Sequence, residues 1–108
     1  MKHERYMWLL VFFDLPVKSR RARRAAANFR NGLLKDGFIM LQYSVYGRPV
    51  KMDDSIEKHL SRIKEMTPSR GSVKAIPITD QQFGRIQILT GKRSAQEEKI
   101  GSKQLILL

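Results

Sequence analysis

The feature that most constrains this chain is an unbroken apolar run, Tyr6-Met7-Trp8-Leu9-Leu10-Val11-Phe12-Phe13, closed by Arg5 on one side and Asp14-Leu15-Pro16 on the other. Both alternating faces of the run are apolar, so it predicts a central strand covered on two sides rather than a strand with one wet face. Eight residues are far short of the roughly 20 that span a bilayer. No cleavable leader pattern precedes Asp14, and the expectation is a cytoplasmic protein with no membrane partner.

After the strand the pattern turns helical. Ser19 predicts an N-cap, and Ala22, Ala25, Ala26, Phe29 and Leu33 mark one face of a helix reaching Lys35, with Gly37 as the stop. The segment from Phe38 to Tyr46 predicts a strand, broken at Gly47-Arg48-Pro49 and continuing to Val50. Asp53 or Asp54 predicts the cap of a second helix with Ile56, Leu60 and Ile63 on its buried face. Val73 to Thr79 reads as an edge strand because Pro77 cannot donate to a ladder. Phe83 to Thr90, alternating Ile86 and Ile88 with Arg85 and Gln87, predicts a further strand. The apolar end Leu105-Ile106-Leu107-Leu108 needs a sheet edge to join.

The order strand, helix, strand, strand, helix, strand is the ferredoxin-like βαββαβ pattern of an α+β protein. At 108 residues the chain has room for one modest core. Residues 1–91 are expected to form that domain and residues 92–108 a polar linker with a terminal strand.

Charge then narrows the function. There are 21 Lys and Arg against 10 Asp and Glu, a formal net charge of +11, and a polyanion is the natural partner. Between Lys18 and Lys35 lie seven basic residues and no acid. At about 100° per residue, Arg20, Arg24 and Lys35 stand opposite the Ala22/Ala26/Phe29/Leu33 stripe, with Arg21, Arg23 and Arg30 on its shoulders. A solvated helix face ordinarily mixes Glu with Lys, and like charges one turn apart repel. Lys18, Arg20, Arg21, Arg23 and Arg24 are therefore the candidate phosphate-binding residues.

The absence of Cys rules out disulfides, thiolate zinc sites and a Cys nucleophile. The two His, His3 and His59, form no local metal motif, and His59 suits a buried or surface role better than that of a base. Tyr43 and Tyr46 have rings that could stack on bases, but in a strand-rich segment a packing or interface role is expected of both. Asp14, a carboxylate directly after the most hydrophobic strand, has two readings. It is a good turn former before Leu15-Pro16, and it stands where strand ends present functional groups. One carboxylate is too few for a metal site unless a second copy supplies another.

Tyr6 to Pro16, taken with Gly37-Phe38-Ile39-Met40-Leu41-Gln42-Tyr43-Ser44-Val45-Tyr46 and Phe83 to Gly91, resembles the small universal CRISPR-associated adaptation proteins, the second of the two core adaptation subunits, in their type II form. The resemblance implies a ferredoxin-like homodimer with C-terminal strands exchanged between protomers. It implies binding of double-stranded DNA as a bridge between copies of the large CRISPR integrase subunit. It also implies an endonuclease acting on RNA, including single-stranded RNA, or on DNA, with Mg2+ or Mn2+ held by Asp14 from both copies. A toxin-type RNA interferase of related fold and a non-catalytic scaffold are the alternatives. Gly32 inside the first helix costs it roughly 1 kcal/mol against Ala.

Overall fold

The computed structural model describes residues 6–51 and 55–91. Its elements are β1 (Tyr6–Asp14), α1 (Arg20–Lys35), β2 (Ile39–Gln42), β3 (Val45–Lys51), α2 (Ser55–Met66), β4 (Ser72–Thr79) and α3 (Asp80–Gly84). The four strands form one antiparallel sheet in the order β2-β3-β1-β4. That is the ferredoxin-like arrangement, with the apolar run of β1 in the middle as its composition requires.

The main core lies between the sheet and the two long helices. Leu9 and Val11 of β1 are fully buried there against Phe29 and Leu33 of α1, Phe38, Tyr46 and Val50, and Ile63 of α2. Helix α1 begins where its sequence indicates: the Ser19 hydroxyl accepts from the Ala22 amide at 3.0 Å. It ends at Asp36, with Gly37 at φ +90 and the Phe38 amide returning to the Leu33 carbonyl at 3.0 Å. Gly32 has a reason to interrupt the helix. The Met66 thioether of α2 fills the space that a Cβ there would take, so the missing side chain is used for packing between α1 and α2.

Three expectations need correction. The turn after Phe38 falls at Tyr43–Ser44, not at Gly47-Arg48-Pro49, which belongs to β3. Gly47 is a packing position. A Cβ would stand 3.0 Å from Leu10 and 3.1 Å from Leu41, so the strand keeps glycine where the sheet face is crowded. Pro49 is tolerated because β2 pairs only as far as Gly47, leaving β3 with one neighbour beyond it.

The second correction concerns Phe83, which is in α3 rather than a strand. Thr79 and Gln82 form a reciprocal capping box, Gln82 N to Thr79 Oγ1 at 3.0 Å and Thr79 N to Gln82 Oε1 at 2.8 Å. This T-x-x-Q signature was readable in the sequence. Residues 85–91 adopt neither helix nor strand.

The third concerns coverage of β1. On the face away from the long helices, Phe83 stacks on Trp8 with ring centroids 3.8 Å apart, and the Trp8 indole donates to Asp80 at 3.1 Å. Further along that face Phe12 is 40% exposed and Ile76 48% exposed, so the described residues cover only one end of it. The expected caps Asp53 and Asp54 and the expected linker and strand in 92–108 lie outside the described residues. Pro77 does sit on an edge strand among the described residues, where β4 pairs with β1 alone.

Candidate nucleic-acid interface

Asp14 is the last residue of β1, exposed, and paired in register with Ser72 of β4. Its backbone is held on both flanks. The preceding amide, Phe13 N, donates to the Ser44 carbonyl at 3.0 Å. On the other side Gly71 packs so tightly that a Cβ would lie 2.7 Å from the Asp14 carbonyl oxygen and 2.9 Å from a Leu15 methyl. With φ +94 as well, Gly71 is a position where glycine alone fits without strain.

The chain leaves Asp14 through Leu15-Pro16-Val17, passes Lys18 and the Ser19 cap, and enters α1 at Arg20. Lys18, Arg20, Arg21, Arg23 and Arg24 are all exposed. The first turn of α1 holds no acid. Cations at a helix N-terminus oppose the macrodipole, each by about 0.3–1 kcal/mol, so this end of the molecule is electrostatically unfavourable until an anion joins it. Arg23 bends back to donate to the Val17 carbonyl at 3.1 Å, bracing the loop that carries Lys18.

Between the start of α1 and the α2–β4 loop lies a groove of about 710 Å³. Leu15, Pro16, Ala22, Ala25 and Ala26 give it an apolar floor, and Lys18, Arg21 and Arg70 stand on its rim. Arg70 was not singled out by the sequence. Its loop, Ser69-Arg70-Gly71-Ser72, reads only as a connection until the fold brings the segment after α2 beside the start of α1. Asp14 does not line the groove, whose wall begins at the next residue.

No group of three or more His, Cys, Asp or Glu side chains converges among the described residues. Among the described residues Asp14 therefore stands as a lone carboxylate at this end of the sheet. His59 is buried, with Nδ1 2.8 Å from Asp36 Oδ2, at the far end of α1. Tyr46 is buried too, and burial raises its phenol above the ordinary value of 10.0 against the opposing pull of Arg30. Tyr43, by contrast, is 88% exposed on the β2–β3 turn.

Fold and charge together define a class, the ferredoxin-like domain with one cationic end. Comparison with known proteins identifies the family: the family model described as CRISPR associated protein Cas2 matches residues 7–86. The chain is similar to the CRISPR-associated endoribonuclease Cas2 of Acidovorax ebreus, 45% identical over 101 residues that cover 94% of this chain and 99% of the relative. It is also similar to proteins of the same name from Parvibaculum lavamentivorans, 46% identical with 81% and 86% of the two chains covered, and Flavobacterium psychrophilum, 42% identical with 95% and 89% covered. This chain belongs to the CRISPR-associated Cas2 family.

Proposed function

We propose that the chain is a homodimeric, nucleic-acid-binding subunit of the spacer-acquisition complex in its type II form, partner to the large integrase subunit, and that it carries endonuclease activity on RNA or DNA. The observation that carries this reading is the acid-free set Lys18, Arg20, Arg21, Arg23 and Arg24, exposed at a helix start directly after Asp14. Guanidinium groups there pair with phosphate oxygens of double-stranded DNA or single-stranded RNA whatever the sequence. The name endoribonuclease carried by the relatives supports the nuclease half. Family membership favours CRISPR adaptation over a toxin-type RNA interferase.

The half-open sheet face supports the homodimer. Phe12, paired with Val45, and Ile76, paired with Leu10, leave exposed apolar surface on one face beyond the cover of α3, with Lys74 beside it. Contiguous exposed apolar area of this kind marks an association surface. A second copy would also supply the second Asp14 carboxylate. Two close carboxylates favour a shared cation, and Mg2+ or Mn2+ held there would polarise the phosphodiester and activate water.

A scaffold without catalysis is the second reading, favoured by the lone Asp14 carboxylate at this end among the described residues. The test uses the full-length protein with RNA and duplex DNA, with and without a chelator, beside Asp14→Ala. Cleavage lost in the variant and in chelator, with duplex binding kept, is the expected result; equal cleavage by both proteins refutes Asp14 as the site. Spacer insertion with the co-purified integrase that survives Asp14→Ala assigns the scaffold role.

A further inference from the structure

The β2–β3 turn holds a side chain that neither packs into the core nor lines the groove. Tyr43 is 88% exposed and has no hydrogen-bond or ring partner among the described residues. It shares a two-residue turn with Ser44, whose φ is 66. The left-handed position is that of Ser44, so the turn asks for no aromatic at Tyr43, and a ring held in water there adds nothing to the core.

The turn is also rigidly placed. Ser44 accepts from Phe13 N at 3.0 Å, which ties the root of Tyr43 to the strand residue immediately before Asp14. Neighbouring strands lie about 4.8 Å apart, so Tyr43 starts within roughly 10 Å of the Asp14 backbone. Across β1 from it lie Ser72, Gly71 and the cationic Arg70. The Asp14 position therefore lies between the turn that carries Tyr43 and the loop that carries Arg70.

We propose that Tyr43 is a stacking platform for an unpaired nucleobase of the nucleic acid bound at the Asp14 end of the sheet. This rests on the reading that Asp14 acts on a phosphodiester. A base within a duplex is already stacked on both faces and gains little from an added ring; an unpaired base gains a partner. The arginines of α1 hold phosphates of either form and do not discriminate between them. The residues beside Tyr43, Gln42 and Ser44, are exposed and polar, which suits a solvated strand of nucleic acid better than the apolar surface of a second copy.

The experiment measures binding of equal-length single-stranded RNA, single-stranded DNA and duplex DNA to the full-length chain, with 2-aminopurine in the single strands to report stacking. Variants are Tyr43→Ala, Tyr43→Phe and Asp14→Ala. Tyr43→Ala is expected to weaken single-strand binding about 5- to 100-fold, abolish 2-aminopurine quenching and leave duplex affinity unchanged, while Tyr43→Phe retains both stacking signals. The RNA and DNA arms show which sugar the site accepts. Unchanged quenching in Tyr43→Ala overturns the proposal, as does equal weakening of single-strand and duplex binding. A shift of Tyr43→Ala from dimer to monomer on sedimentation also overturns it, by making the ring a contact between copies. Quenching that persists in Asp14→Ala, with cleavage intact, refutes the Asp14 reading and leaves stacking standing.

Discussion

The two ends of helix α1 treat charge in opposite ways. At its C-terminal end Asp36 is held by partners within the chain: it accepts from Arg62 at 2.9 Å and meets His59 at 2.8 Å, while Arg48 donates to its main-chain carbonyl. The Asp36 and His59 side chains are 12% and 8% exposed. At the N-terminal end five cations stand exposed beside one exposed carboxylate, and no ion pair joins them among the described residues. A charge that stabilises the fold is satisfied internally because leaving it unpaired in a dry setting costs several kcal/mol. A charge kept for an outside partner must stay in water and repel its neighbours until that partner arrives.

The strongest way to break this contrast is to remove the exposed set. Arg20, Arg21, Arg23 and Arg24 replaced together by Ala should weaken duplex DNA binding on the order of 1,000-fold at low salt. The wild-type slope of log affinity against log salt, about 4 to 6, should fall by about 3 to 4. Melting temperature should hold or rise, because like-charge repulsion along the helix is relieved. An affinity that ignores both salt and the substitutions would rule out the phosphate platform.

At the other end Asp36→Ala should cost about 3 kcal/mol, lowering the melting midpoint by roughly 10–20 °C, because it leaves His59 buried without its partner. Oligonucleotide affinity should be unchanged below the transition. Arg62→Ala is the control: its side chain is 53% exposed, and the loss should stay below about 1 kcal/mol. If the two variants melt alike, the buried pair is not what holds that end together.

Gly71→Ala sharpens the comparison by disturbing the Asp14 end without touching a charge. The positive φ and the 2.7 Å approach to the Asp14 carbonyl oxygen predict a loss of about 2 kcal/mol. Cleavage should fall more than duplex binding, since the strand end moves while the α1 arginines do not. The smallest effect is alkaline. The unfolded Tyr46 phenol ionises near 10.0 and the folded one above it, so its contribution is fully present below that pH and is lost as pH rises through the folded value. Chemical denaturation across the alkaline range should show this loss in the wild type and a smaller one in Tyr46→Phe.

Much of the fold was legible because it depends on near neighbours. The β1 run, the Ser19 cap, the Ala22/Ala26/Phe29/Leu33 stripe and the edge position forced by Pro77 each follow from spacing within a few residues. The candidate site was legible in part for the same reason, as Asp14 and the α1 cations occupy one short stretch of chain. Arg70 gave no signal, and Tyr43 read as a packing or interface residue like Tyr46, because nothing local says that a loop after α2 and a turn before β3 meet at one end of β1. Gly47-Arg48-Pro49 misled for a related reason: Gly and Pro usually punctuate, but here Gly47 answers crowding from Leu10 and Leu41 and Pro49 lies past the last residue that β2 pairs.

The sequence by itself determined a basic ferredoxin-like domain with an acid-free helix start, since periodicity, capping and charge are properties of adjacent residues. Only the tertiary structure decided which surfaces those residues share. Phe83 came to stack on Trp8, far away in the chain, and the amide of Phe13 chose the Ser44 carbonyl. Hydrogen bonds and close packing between distant segments set the turn, the groove and the flanks of Asp14, and their energies exceed the local propensities they override.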